Sequence, residues 1–106
     1  MEITLAHIRG KPVILSLQDG VVYIDGEAQP IKNLHPEDLQ KFQEKLEALP
    51  QTDDPLAAEA LRNAVRASFL SSLLGKAVGD ECVSLLTGLL DNVHYEVLKY
   101  LGEVDE

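Results

Sequence analysis

The stretch PLAAEALRNAVRASFLSSLL (Pro55–Leu74) is the longest uninterrupted helical pattern in the chain, and its reading decides how everything else must pack. Asp54 can accept a hydrogen bond from a free backbone N–H of the first turn, Pro55 suits the first helical position, and Gly75 is expected to close the helix in the left-handed conformation. At about 100° per residue, Glu59, Arg62, Asn63 and Arg66 form one polar stripe, with Leu56, Ala57, Ala60, Leu61, Ala64, Val65 and Phe69 around the rest of the circumference. The stripe stops at Leu70 and Leu73, which take the angles of the next polar positions. The last turn, Phe69 to Leu74, is therefore apolar on nearly every side and needs cover from two directions.

On the C-terminal side a third helix is expected over roughly Val78 to Leu90, with Val78, Cys82, Val83, Leu85, Leu86, Leu89 and Leu90 on one broad arc. The periodicity slips at Asp91-Asn92, where either residue can cap a fourth helix carrying Val93, Val97, Tyr100 and Leu101 and closed by Gly102. Residues 103–106 read as a frayed acidic tail. On the N-terminal side, Pro36, Glu37 and Asp38 open a peripheral helix with the narrow apolar stripe Leu39, Phe42, Leu46 and Leu49, ended by Pro50. Glu37 and Lys41 on its charged face have the spacing of a supporting ion pair.

Before Asn33 the period is two. Asp19-Gly20 and Asp25-Gly26 are turn signals, because both residue types tolerate the positive φ of tight hairpins. A two-residue loop at Asp19-Gly20 sets Leu17 opposite Val22 and Leu15 opposite Ile24, placing Val13, Leu15, Leu17, Val22 and Ile24 on the core face. The first strand, about Ile3 to Arg9, has two registers. A three-residue loop at Gly10-Lys11 turns Ile3, Leu5 and His7 inward, whereas a two-residue loop turns Thr4, Ala6 and Ile8 inward; the first buries the larger residues and is preferred. A short fourth strand around Glu27 to Ile31 is confined to an edge by Pro30. The fold class is α+β in a single domain over 1–106: an N-terminal antiparallel β-meander of three or four strands (1–33), then about four helices packed as a small bundle (36–102).

With 106 residues, 45% apolar and 25% charged, the chain has a globular composition. Its formal charge of −9 repels a phosphate backbone, and its nine bases are scattered, so direct nucleic-acid binding is not expected. No stretch reaches the length of a membrane span and the first residues lack a signal-peptide pattern; Cys82 is the lone cysteine, which fits a reducing, cytoplasmic setting.

Catalytic candidates are thin. Cys82 sits mid-arc on an apolar face beside Asp80 and Glu81, which oppose a thiolate. His35 reads as a turn residue and His94 as a first-turn side chain; His7, His35 and His94 have no i, i+3 or i+4 partner histidine, so neither a metal nor a cofactor is expected. Gly75-Lys76 lacks the upstream glycine and following hydroxyl residue of a phosphate loop. The expectation is a non-enzymatic protein-interaction module, an adaptor or regulatory subunit that binds another protein or a second copy of itself. Phe69, Leu70, Leu73 and Leu74 are its candidate contact residues, and the C-terminal acids its rim. A rival expectation is an acidic inhibitor of a basic enzyme, including a nucleic-acid mimic.

Overall fold

The computed structural model describes residues 1–102, and the expected acidic tail at 103–106 lies outside them. Strands β1 (Glu2–Ile8), β2 (Lys11–Gln18), β3 (Val21–Ile24) and β4 (Glu27–Gln29) form an antiparallel sheet in the order β1-β2-β3-β4. Helices α1 (Pro36–Glu47), α2 (Pro55–Leu74) and α3 (Asp80–Leu101) follow, so the fold is α+β.

Each hairpin turns on two residues of positive φ: Arg9-Gly10 (54° and 77°), Asp19-Gly20 (52° and 78°) and Asp25-Gly26 (51° and 83°). That pattern matches the right-handed twist of the flanking strands. Asp25 adds a hold of its own, since its Oδ1 accepts from the Ile14 N–H at 2.9 Å. The pairs Leu17–Val22 and Leu15–Ile24 stand opposite each other, as the Asp19-Gly20 loop requires.

The first strand departs from both expected registers. Its loop has two residues, Arg9-Gly10, which taken alone would bury Thr4, Ala6 and Ile8. A bulge at Leu5, between the pairs Thr4–Ile14 and Ala6–Val13, exchanges the faces partway along the strand. Ile3, Leu5 and Ala6 are consequently all buried, while His7 is exposed, so the inward placement of His7 is corrected.

Three helices follow the sheet, where about four were expected. Cys82, Leu86, Leu89 and Val93, at spacings of four, three and four, run one buried seam straight through Asp91-Asn92, and α3 does not break. Asn92 does not cap a helix; its Nδ2 donates to the His7 carbonyl at 2.9 Å and ties α3 to β1. At the start of α2, Asp54 Oδ1 accepts from the Leu56 N–H at 3.0 Å, as the cap reading requires. At its end the expectation fails: Gly75 is right-handed (φ −68°), and positive φ appears instead at Gly79 (96°), which leads into α3.

The connector between α2 and α3 runs beside the chain leaving β4. Ile31 bridges Ala77, the Val78 N–H donates to the Pro30 carbonyl at 2.8 Å, and the Lys32 N–H donates to the Lys76 carbonyl at 2.9 Å. Backbone groups past the end of the sheet are thereby satisfied. The core lies between the inner face of the sheet, chiefly Ile3, Leu5, Leu15, Val22 and Ile24, and the inward faces of α2 and α3. α1 packs on α2 and contributes Leu39 and Phe42.

Candidate functional site: the outward face of α2 and the groove beside α1

Polarity misleads on α2. Of the stripe Glu59, Arg62, Asn63 and Arg66, Arg62 is exposed, whereas Glu59, Asn63 and Arg66 continue along one line into Leu70 and Leu73, and these five lie within about 40° of one direction around the helix. That direction points inward. Asn63 is 7% and Arg66 6% exposed, while Leu70 and Leu73 have no exposed surface. Leu70 and Leu73 belong to the core, which corrects their assignment as contact residues: α3 folds back across the last turns of α2 and covers them together with the sheet.

A buried guanidinium needs acceptors, and α2 supplies them from its own preceding turns. Arg66 Nη1 donates to Glu59 Oε1 at 2.7 Å and to Asn63 Oδ1 at 2.9 Å, whereas its Nε meets no acceptor. Glu59 also accepts from Arg62 Nε at 3.0 Å. Partial burial raises the Glu59 carboxyl, but the hydrogen bonds from Arg66 and Arg62 outweigh it and hold the group below its ordinary value. This network faces a polar cavity of about 330 Å³ shared with His7, Arg9, Asn92 and Glu96.

The opposite side of α2 is the unusual surface. Leu61, Ala64, Ser68 and Ser72 lie within about 40° of one another's mean direction, and this side carries no charge over the length of the helix. All three charged residues of α2, Glu59, Arg62 and Arg66, belong to the other side. Next to the uncharged face, α1 and α2 leave a groove of about 410 Å³. Its apolar wall is Phe42, Leu49, Leu61, Val65 and Phe69, and Phe42 and Phe69 stack with ring centroids 4.7 Å apart at 42°. Phe69, expected as a contact residue, is half-buried in this wall, and Leu74, also half-buried, packs against the core.

The charged residues that line the groove all come from α1: Asp38, Lys41 and Lys45. Lys41 and Lys45, one turn apart and exposed, border the groove and form no ion pair or hydrogen bond among the described residues; Glu37 does not pair with Lys41. Asp38 at one end of the groove is already engaged. Its Oδ2 accepts from the His35 N–H at 2.9 Å and lies 3.4 Å from Lys76 Nζ, and first the backbone hydrogen bond, then Lys76, lower the carboxyl pKa against a small desolvation cost.

The remaining candidates stand apart. His35 and His94 are exposed on different elements, Cys82 is buried with its thiol pKa raised by desolvation, and among the described residues no three His, Cys, Asp or Glu side chains are placed to hold a metal ion. No helix of the described residues is long and apolar enough to cross a membrane. The four described acids of α3, Asp80, Glu81, Asp91 and Glu96, spread over roughly 160° of its circumference. Val83 near the start of α3 and Leu98 and Leu101 near its end are also exposed. Sequence reasoning missed Lys41 and Lys45 as a site feature and Arg66 as a buried one. The signal for Arg66 was present, since its angle matches that of Leu70. Comparison with protein-family models, with curated proteins and with solved structures found no match.

Proposed function

We propose that this chain is a small cytoplasmic protein-interaction module, an adaptor or regulatory subunit, that takes a helical segment of another protein into the α1–α2 groove. One observation carries the reading: the side of a 20-residue helix that bears Leu61, Ala64, Ser68 and Ser72 has no charge, beside an apolar groove, in a chain of which 25% is charged. A solvated helix normally places its charged residues outward. Here Arg66 turns inward at the expense of its desolvation, and the small residues on the uncharged side let a second helix approach to about 8–10 Å between axes. Helix-in-groove recognition uses such a surface. The proposal involves no catalytic residue, cofactor or metal.

The test is the variant Ser68→Arg. Ser68 is exposed at the middle of the uncharged face, so arginine fills the groove's approach without touching the core. Capture of proteins from the native cell extract by wild type and variant, at matched thermal stability, should differ by at least one protein lost in the variant. An identical captured set with both refutes the proposal.

A further inference from the structure

We infer that the occupant of the α1–α2 groove is an amphipathic helix flanked by acidic side chains, contributed by a different protein; the inference rests on the proposed use of the groove. The groove supplies two kinds of recognition. Leu49, Leu61, Val65 and Phe69, each half-buried, offer an apolar wall that complements one face of a helix about 10 Å across. Lys41 and Lys45, at i and i+4 on α1, place two ammonium groups along one border, spaced by one helical turn. Three other bases are paired, Arg62 and Arg66 with Glu59 and Lys76 with Asp38. In a chain of net charge −9, two lysines without an ion pair among the described residues, along a groove whose one carboxylate, Asp38, is engaged by the His35 N–H and Lys76, create local complementarity to acids at matching one-turn spacing. The same −9 opposes a second copy, because every close approach of two such chains adds like-charge repulsion.

The probes are two synthetic helical peptides of about 18 residues, each with leucines on one face, one flanked by glutamates and the other by lysines at the same positions. Binding to the full chain is read by fluorescence anisotropy of the labelled peptide. The acidic peptide should bind about tenfold more tightly than the basic one at low salt, with the difference shrinking as salt screens the exposed charges. Ser68→Arg should abolish binding of both, and Lys41→Glu with Lys45→Glu should reverse the preference. Equal binding of the two peptides, no binding of either, or an unchanged preference in the double variant overturns the inference. So does concentration-dependent self-association that Ser68→Arg removes, which would assign the groove to a second copy. The two levels separate cleanly. Extract capture that depends on Ser68 while the peptides fail leaves the interaction surface standing and removes only the acidic helix; capture indifferent to Ser68→Arg removes both.

Discussion

Replacing Glu59 with alanine should destabilise the protein far more than replacing the buried arginine it serves. Arg66 is 6% exposed, and its acceptors among the described residues are Glu59 Oε1 at 2.7 Å and Asn63 Oδ1 at 2.9 Å. Glu59→Ala leaves the cation with one neutral acceptor and an Nε already without one. Breaking a fully buried ion pair in this way costs about 3–5 kcal/mol. The Glu59 side chain is 41% exposed, so water can reach the vacated position, and about 2 kcal/mol is the expected loss. Arg66→Met removes the charge and keeps an unbranched stem in the same buried place, so its stability should stay within about 1 kcal/mol of wild type. In the Arg66→Met background Glu59→Ala should cost no more than about 0.5 kcal/mol, giving a coupling near 1.5 kcal/mol. Urea denaturation with an unchanged slope measures all four corners of the cycle. If Glu59→Ala costs the same in both backgrounds, the guanidinium is hydrated and the inward placement of Arg66 is wrong. The pH dependence supplies a second arm. Because the folded Glu59 carboxyl lies below its ordinary value of 4.5, its contribution is complete above that pH and is lost as pH falls through the folded value. The gap between wild type and Glu59→Ala should hold at neutral pH and close on acidification.

Two further predictions test burial. Leu70→Ala removes a side chain with no exposed surface and should cost about 3 kcal/mol, whereas Ser68→Ala, two residues away on the outer face, should change stability by less than about 0.5 kcal/mol in the same melts. Cys82 is 1% exposed and burial raises its thiol pKa, so it should resist a thiol reagent in the native protein and react fully in urea. Fast native labelling would place the α3 seam elsewhere.

The hairpins were legible in the sequence because Asp-Gly pairs encode positive φ locally, and the register from Leu15 to Ile24 follows from the loop length alone. The first strand was not, because the bulge at Leu5 is decided by cross-strand packing that buries Ile3 and Ala6 together. The continuity of α3 hinged on Asp91-Asn92, residues that cap helices as readily as they ride through one; the His7 carbonyl that engages Asn92 comes from 85 positions away. For α2, periodicity located the faces but polarity does not tell inside from outside, because Asn63 and Arg66 are buried while Arg62 of the same stripe is exposed. The angle shared by Asn63, Arg66, Leu70 and Leu73 is a clue to the error, since a single inward face explains why the stripe seems to stop. The groove depends on where α1 comes to rest against α2, and no local pattern encodes that.

The most direct measurement is a chemical-shift map of the backbone amides during titration with the glutamate-flanked helical peptide. Shifts concentrated in residues 41–49 and 61–72, with the sheet and the exposed apolar residues of α3 unmoved, are the expected result. Shifts centred on Val83, Leu98 and Leu101, or none at saturating peptide, would contradict the assignment of the uncharged side of α2 as the contact surface.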